Sequence, residues 1–162
     1  MSECLALEEA NDGARIYLGL VHQARGQRAL ARKQLQRVVA RSRDVTMRCF
    51  AQFNLSSICL DEGDCEGAIR LLLELVASGA VERDERWKAA WLNLGLAYGL
   101  RGEFEESARW FRRLHEDGPG QRSSVARGLS RRSGFLHLVR AHPQARQLAD
   151  DLQQWFLGPR RS

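Results

Sequence analysis

Asn93-Leu94-Gly95-Leu96-Ala97-Tyr98, followed by Gly102, Ser107 and Phe111, is the stretch that decides the fold, because its spacing occurs twice more upstream. Asn54-Leu55-Ser56-Ser57-Ile58-Cys59 is followed by Gly63, Ala68 and Leu72; Tyr17-Leu18-Gly19-Leu20-Val21-His22 is followed by Gly26, Ala31 and Leu35. In all three, leucine to glycine is 8 residues, that glycine to the small residue is 5, and the small to the large apolar residue is 4. The leucine recurs after 37 and then 39 residues. Each unit describes one amphipathic helix, a glycine that takes the left-handed conformation closing it, and a second helix after a short turn. Leu18, Leu55 and Leu94 are expected to fill the seam of each pair, opposite Leu35, Leu72 and Phe111. The small residues let the two axes approach. Such a pair cannot bury its apolar face alone, so neighbouring pairs must stack.

Working outward, the pattern predicts helices over 12–25, 28–42, 45–61, 65–78, 85–100 and 104–116. Asp12, Asp44 and Asp84 are the expected N-caps. Residues 2–10 read as a short leading helix. After Gly118-Pro119-Gly120 a further pair is expected over 123–140 and 143–157. Ser123 would cap its first helix, Pro143 would open its second, and Gly134 is its weak point. This pair lacks the motif and reads as a terminal cap. Gly158-Pro159-Arg160-Arg161-Ser162 reads as a frayed end.

The third unit resembles the tetratricopeptide repeat through Trp91, Leu94, Gly95, Tyr98, Phe111 and Pro119, with Ser107 in the alanine place. The first keeps Leu18, Gly19 and Ala31 but has His22 for the tyrosine. The second keeps Leu55 and Ala68 but has Ser56 and Cys59 in the glycine and tyrosine places. The resemblance implies an all-α fold, a right-handed α-solenoid of antiparallel helix pairs with a C-terminal capping pair. It divides a single domain, 1–162, into three repeats (12–43, 44–80 and 84–119) and capping helices over 120–157. Both periods exceed the usual repeat length of about 34 residues. The extra residues fall at Asp44-Val45-Thr46 and Val81-Glu82-Arg83-Asp84.

Composition agrees with helices. The chain has 23 Leu and 19 Ala against 8 Val, 3 Ile and 1 Thr, too few β-branched residues for a sheet. The net charge of +5 is unevenly placed. Residues 1–120 sum to −1 and residues 121–162 to +6. Within the first part Arg25 to Arg48 carries +7 and Asp61 to Glu85 carries −6. Such alternation is unlike one continuous nucleic-acid face. No apolar run of membrane-spanning length occurs, and the acidic start is unlike a signal peptide, so a cytoplasmic address and no membrane partner are expected. Cys4, Cys49, Cys59 and Cys65 form no Cys-x-x-Cys pair, and the histidines are scattered, so no metal or other cofactor is expected.

No nucleophile elbow, phosphate-cradling glycine loop or zinc-protease motif is present, so no enzyme and no small-molecule substrate is expected. Glu103-Phe104-Glu105-Glu106 fits a negative first helical turn, and His22 fits a packed residue. Binding of another protein is the expected function, as an adaptor, scaffold, regulator or assembly chaperone. In stacked pairs the first helices line a concave groove. The repeat alignment places Ile16, Tyr17 and Leu20, then Phe50, Phe53, Asn54 and Ser57, then Ala89, Leu92, Asn93 and Leu96 along it. Asn54 and Asn93 precede the motif leucine in two successive repeats. The resemblance implies that they form an asparagine ladder reading a peptide backbone; the alternative is that they bridge helices. The groove set holds no Lys or Arg, so a carboxylate clamp is not expected. An amphipathic helix or apolar segment fits better, with Phe50, Phe53, Leu92 and Leu96 as anchors. These residues could instead pack on the chain's own terminal helices or on a second copy. Trp87 is a candidate half-exposed anchor, Trp91 a core residue. A less favoured alternative is nucleic acid on Arg122, Arg127, Arg131, Arg132 and Arg140, which lack interleaved aromatics. Another is self-assembly through terminal faces.

Overall fold

A computed structural model of the chain describes the backbone of residues 2–158 and the side chains of residues 11–158 apart from Pro119. Every regular element among the described residues is helical: α1 (Ser2–Ala24), α2 (Arg28–Arg41), α3 (Val45–Asp61), α4 (Cys65–Ala77), α5 (Ala80–Arg83), α6 (Ala89–Leu100), α7 (Phe104–Asp117), α8 (Arg122–Arg131), α9 (Ser133–Ala141) and α10 (Arg146–Leu152). Short 3-10 turns precede α6, α8 and α10, and a π turn, Gln153–Leu157, follows α10. The expected ends of the six repeat helices mostly agree within a residue or two. The reason is local chemistry. Gly26, Gly63 and Gly102, the three spaced glycines, have φ of 73°, 80° and 83°, a region that costs any residue with a Cβ. Asp44 caps α3 by accepting from the Thr46 and Met47 amides at 2.7 and 3.2 Å. Asp84 accepts from the Arg86 amide at 2.9 Å and caps the 3-10 turn before α6.

Four expectations change. Asp12 does not cap a helix, because the leading segment and the first repeat helix are one helix; Asp12 lies inside α1, 3.8 Å from Arg15. No glycine or proline between residues 2 and 12 breaks it. The segment after residue 121 is two helices, broken at Arg132 (φ −107°, ψ 52°) beside Gly134, so Ser123 is the second residue of α8 and not its cap. Trp87 is buried. Leu18 is 45% exposed, whereas Leu55 and Leu94 are 2% and 0% exposed.

The chain divides into two compact units, Met1–Ala80 and Val81–Ser162, with the boundary at the end of the second repeat. In the first unit α1 packs on α2 and α3, α2 on α3, and α3 on α4. Its core contains Leu35, Val38, Leu55, Ile58, Leu72 and Leu75. Gly19 lies so close to α2 that a Cβ there would meet Leu35 Cγ at 2.9 Å. In the second unit α6 packs on α7 and α9, α8 on α9, and α10 on α7 and α9. Phe111 lies 6.0 Å from Phe135 and 6.3 Å from Phe156, ring centre to ring centre. A Cβ on Gly95 would meet the Phe111 ring at 2.6 Å. Beside it, the buried Ser107 hydroxyl donates to the Gly95 carbonyl at 2.6 Å. Burial of these apolar side chains is the main force on the fold, roughly 1.5–3 kcal/mol for each large one. No helix of the described residues is long and apolar enough to cross a membrane.

Candidate functional site

The groove residues predicted from the repeats separate by unit. In the first, Tyr17 and Leu20 of α1 are 69% and 41% exposed. Phe50, Phe53, Asn54 and Ser57 of the adjoining α3 are half-buried, and Ile16 is buried. The Asn54 amide nitrogen donates to the Phe50 carbonyl at 2.8 Å, one turn back on its own helix. The Ser57 hydroxyl donates to the Phe53 carbonyl at 3.3 Å. Asn54 therefore spends a donor within its own helix.

In the second unit the prediction needs correction. Leu96 is 1% exposed and Asn93 is buried. Leu92 sits against α8, where a Cβ on Gly128 would come within 2.9 Å of its Cδ2. Phe135 of α9 lies over Gly99, whose Cβ would meet that ring at 2.6 Å. The cause is the composition of α6. Ala89-Ala90-Trp91-Leu92-Asn93-Leu94-Gly95-Leu96-Ala97-Tyr98-Gly99-Leu100 is apolar on every side, and such a helix is stable only when covered all round. The repeat pattern accounts for one of its faces, and α8 and α9 cover another. Ala89, half-buried at the first turn of α6, keeps partial access. Asn93 and Leu96 are not open to a groove, and Leu92 is half-buried.

Two charged clefts were not expected. One, of about 370 Å³, lies in the second unit among Glu82, Asp84, Lys88, Trp91, Arg113 and Asp117. The Arg113 guanidinium stacks 4.6 Å above the Trp91 ring and reaches Glu82 at 3.5 Å. The Lys88 ammonium donates to the Asp117 carbonyl at 2.6 Å and to Glu85 at 3.0 Å. These charges neutralise one another. The second, of about 180 Å³, opens in the first unit beside Arg32, Gln36, Cys59, Asp64 and Arg70. Arg32 ion-pairs with Glu62 and approaches the Cys59 sulfur at 3.7 Å. Burial pushes the Cys59 thiol up despite that guanidinium, so it is a neutral thiol at physiological pH and a poor nucleophile.

Other candidate reactive groups are engaged locally. Glu103 pairs with Arg101 at 2.8 Å and Glu106 with Arg109 at 2.6 Å. The His22 ring nitrogen lies 2.8 Å from the Gln27 amide oxygen at the α1–α2 turn. Among the described residues no three His, Cys, Asp or Glu side chains converge as a metal site would require. Cys4 lies outside the described side chains. Arg122, Arg127, Arg131 and Arg140 of the second unit are exposed and Arg132 is half-buried. Arg140 donates to Gln153 at 3.0 Å and Arg127 to Ser124 at 3.4 Å.

One feature escaped the motif. Lys33, Arg37 and Arg41 lie at successive four-residue steps on the outer side of α2, all exposed. Residues 13–43 hold eight cations and no acid, a signal visible as a charge run but given a face only by the fold. Compared with protein-family models, with curated proteins and with solved structures, the chain matches none.

Proposed function

We propose that the chain is a non-catalytic protein-interaction module, built of tetratricopeptide-like antiparallel helix pairs in an α-solenoid arrangement. It binds an apolar or amphipathic segment of another protein on the α1–α3 surface of its first unit. The architectural part is supported by the repeated spacing and by the left-handed glycines at 26, 63 and 102. The observation that carries the binding part is the exposure of Tyr17 and Leu20 of α1, together with the partial exposure of Phe50 and Phe53 of α3, the helix on which α1 packs. Large apolar side chains left accessible in a contiguous area mark interaction sites, and aromatic anchors carry much of the energy of such contacts. Asn54 would read the partner's backbone through its amide oxygen.

Affinity purification from the native host, with peptide mapping of whatever co-purifies, tests this. A defined partner is expected with the wild type and is expected to be lost with Tyr17→Ala, Leu20→Ala and Phe53→Ala combined, while helical circular dichroism is retained. Recovery of the same partners by the triple variant at unchanged strength would overturn the surface. The competing use of the exposed arginines of α8 and α9 predicts retardation of nucleic acid at low salt that vanishes steeply as salt rises.

A further inference from the structure

The acidic and basic runs that alternate along the sequence meet different fates in the fold. Of the eight acids between Asp61 and Glu85, six are engaged locally. Glu62 pairs with Arg32, Asp64 caps α4 at the Gly67 amide, and Glu74 accepts from Gln52 at 3.0 Å. Glu82, Asp84 and Glu85 pair with Arg113, Arg86 and Lys88. Of the eight cations between Arg25 and Arg48, two are held: Arg32 by Glu62, and Arg48 by the Ser42 carbonyl. Arg25, Arg28, Lys33, Arg37, Arg41 and Arg43 are all exposed, and none has an acidic partner among the described residues. The acidic run is spent on internal contacts, while the basic run keeps its charge.

Ala31, Leu35 and Val38 turn the inner side of α2 into the core, so the outer side is left with Lys33, Arg37 and Arg41. These three form a row about 12 Å long. Each neighbouring pair is like-charged at the four-residue spacing, which destabilises a helix until an anion covers it. Between the cations lie Ala29, Gln36 and Ala40, exposed and uncharged. Leu30, near the start of α2, is the helix's only exposed large apolar residue. Beside Gln36 opens the cleft of about 180 Å³, where Arg70 of α4 adds a further exposed cation.

This surface fits a row of phosphates. A protein partner would need an apolar centre, with charged side chains kept to the rim; here cations hold the centre. A lipid surface would take an apolar side of the helix into its acyl boundary, and that side of α2 is inside the core. Unpaired bases stack on aromatic rings, and α2 has none. The backbone of a duplex asks only for closely spaced cations. Guanidinium groups, which predominate here, match phosphate geometry.

We infer that the outer side of α2, with Lys33, Arg37 and Arg41 at its centre, binds the phosphate backbone of a nucleic-acid duplex without reading its sequence. These residues are neither the apolar ones of α1 and α3 used under the proposed function nor the arginines of α8 and α9, so each reading stands or falls separately.

Fluorescence anisotropy of a labelled duplex of about 24 base pairs, titrated with the full chain at about 20 to about 200 mM salt, tests this. Micromolar dissociation is expected at low salt, with log affinity falling against log salt at a slope of about −3 to −4. No preference is expected among sequences or between DNA and RNA duplexes, because phosphates are the groups reached. Lys33→Gln, Arg37→Gln and Arg41→Gln combined are expected to weaken binding at least tenfold at low salt and to flatten the slope by about 2 to 3. That variant should melt no lower than the wild type, since it relieves repulsion along α2. Should it fail to fold, Arg37→Gln alone is expected to flatten the slope by about 1. Arg122→Gln, Arg127→Gln and Arg131→Gln combined are expected to leave the slope unchanged. Absence of duplex binding at low salt, or folded α2 variants that bind as the wild type does, would overturn the inference. So would loss of binding in the α8 variant alone, or tighter binding to phosphatidylserine vesicles or to polyglutamate than to the duplex.

Discussion

At the scale of single residues, the repeat makes its strongest demand where helices touch. Gly95 has no room for a side chain against Phe111. Gly95→Ala is therefore expected to cost about 1–3 kcal/mol through overpacking, read as a shift of the urea midpoint at unchanged slope. That close approach was legible as a small residue at a fixed distance from a large one. Ser107 was legible only as small. Its hydroxyl bond to the Gly95 carbonyl needs two helices in place, since no pattern encodes which carbonyl lies opposite. Ser107→Ala is expected to cost about 1 kcal/mol by loss of that bond. Two titrating groups add a pH dependence. Burial holds the Cys59 thiol above its ordinary range. Burial, then Glu106 and Glu103, holds the Tyr98 phenol above its own. Both are acids whose neutral form the fold prefers, so their contribution is complete at neutral pH. It is lost as pH rises through the ordinary values and then the raised ones. Thermal melts on an alkaline series should show the midpoint falling there, and less steeply in Tyr98→Phe.

At the scale of elements, helix ends were the most legible feature, because caps and left-handed glycines act within four residues of sequence. Asp44 supplies two amides of α3 with an acceptor, so Asp44→Ala is expected to lower stability by about 1 kcal/mol. Helix faces were less legible. The predicted groove assumed that each first helix keeps one side free. For α6 that fails, since its apolar residues run all round and its own neighbours cover them. The two halves of the predicted groove should then respond differently. Leu96→Ala is expected to cost about 2–5 kcal/mol, as a core truncation. Leu20→Ala is expected to change stability by less than about 0.5 kcal/mol. Equal effects in denaturant titration would mean that the groove is uniform after all.

At the scale of the whole molecule, the chain holds two compact units, each with its own buried cluster. A unit with a separate core is able to fold by itself. Fragments 1–80 and 81–162 are each expected to be helical and to melt cooperatively, seen by circular dichroism at 222 nm, the helical band. A non-cooperative fragment would show that the units need each other.

The sequence by itself determined that the chain is helical, where most of the repeat helices stop, where α2, α3, α4 and α7 start, and that Leu55, Leu72, Leu94 and Phe111 are buried. These are consequences of propensity, capping and a spacing that repeats along one strand of covalent bonds. Tertiary structure alone decided which apolar faces stay open. Leu18 and Leu55 occupy the same motif place, as do Leu20 and Leu96, yet one of each pair is accessible and the other is buried. Burial depends on what packs beside a helix, and that is set by neighbours distant in sequence, with α2 and α1 over α3 and α9 over α6. The exposed surface is what remains after that packing is complete.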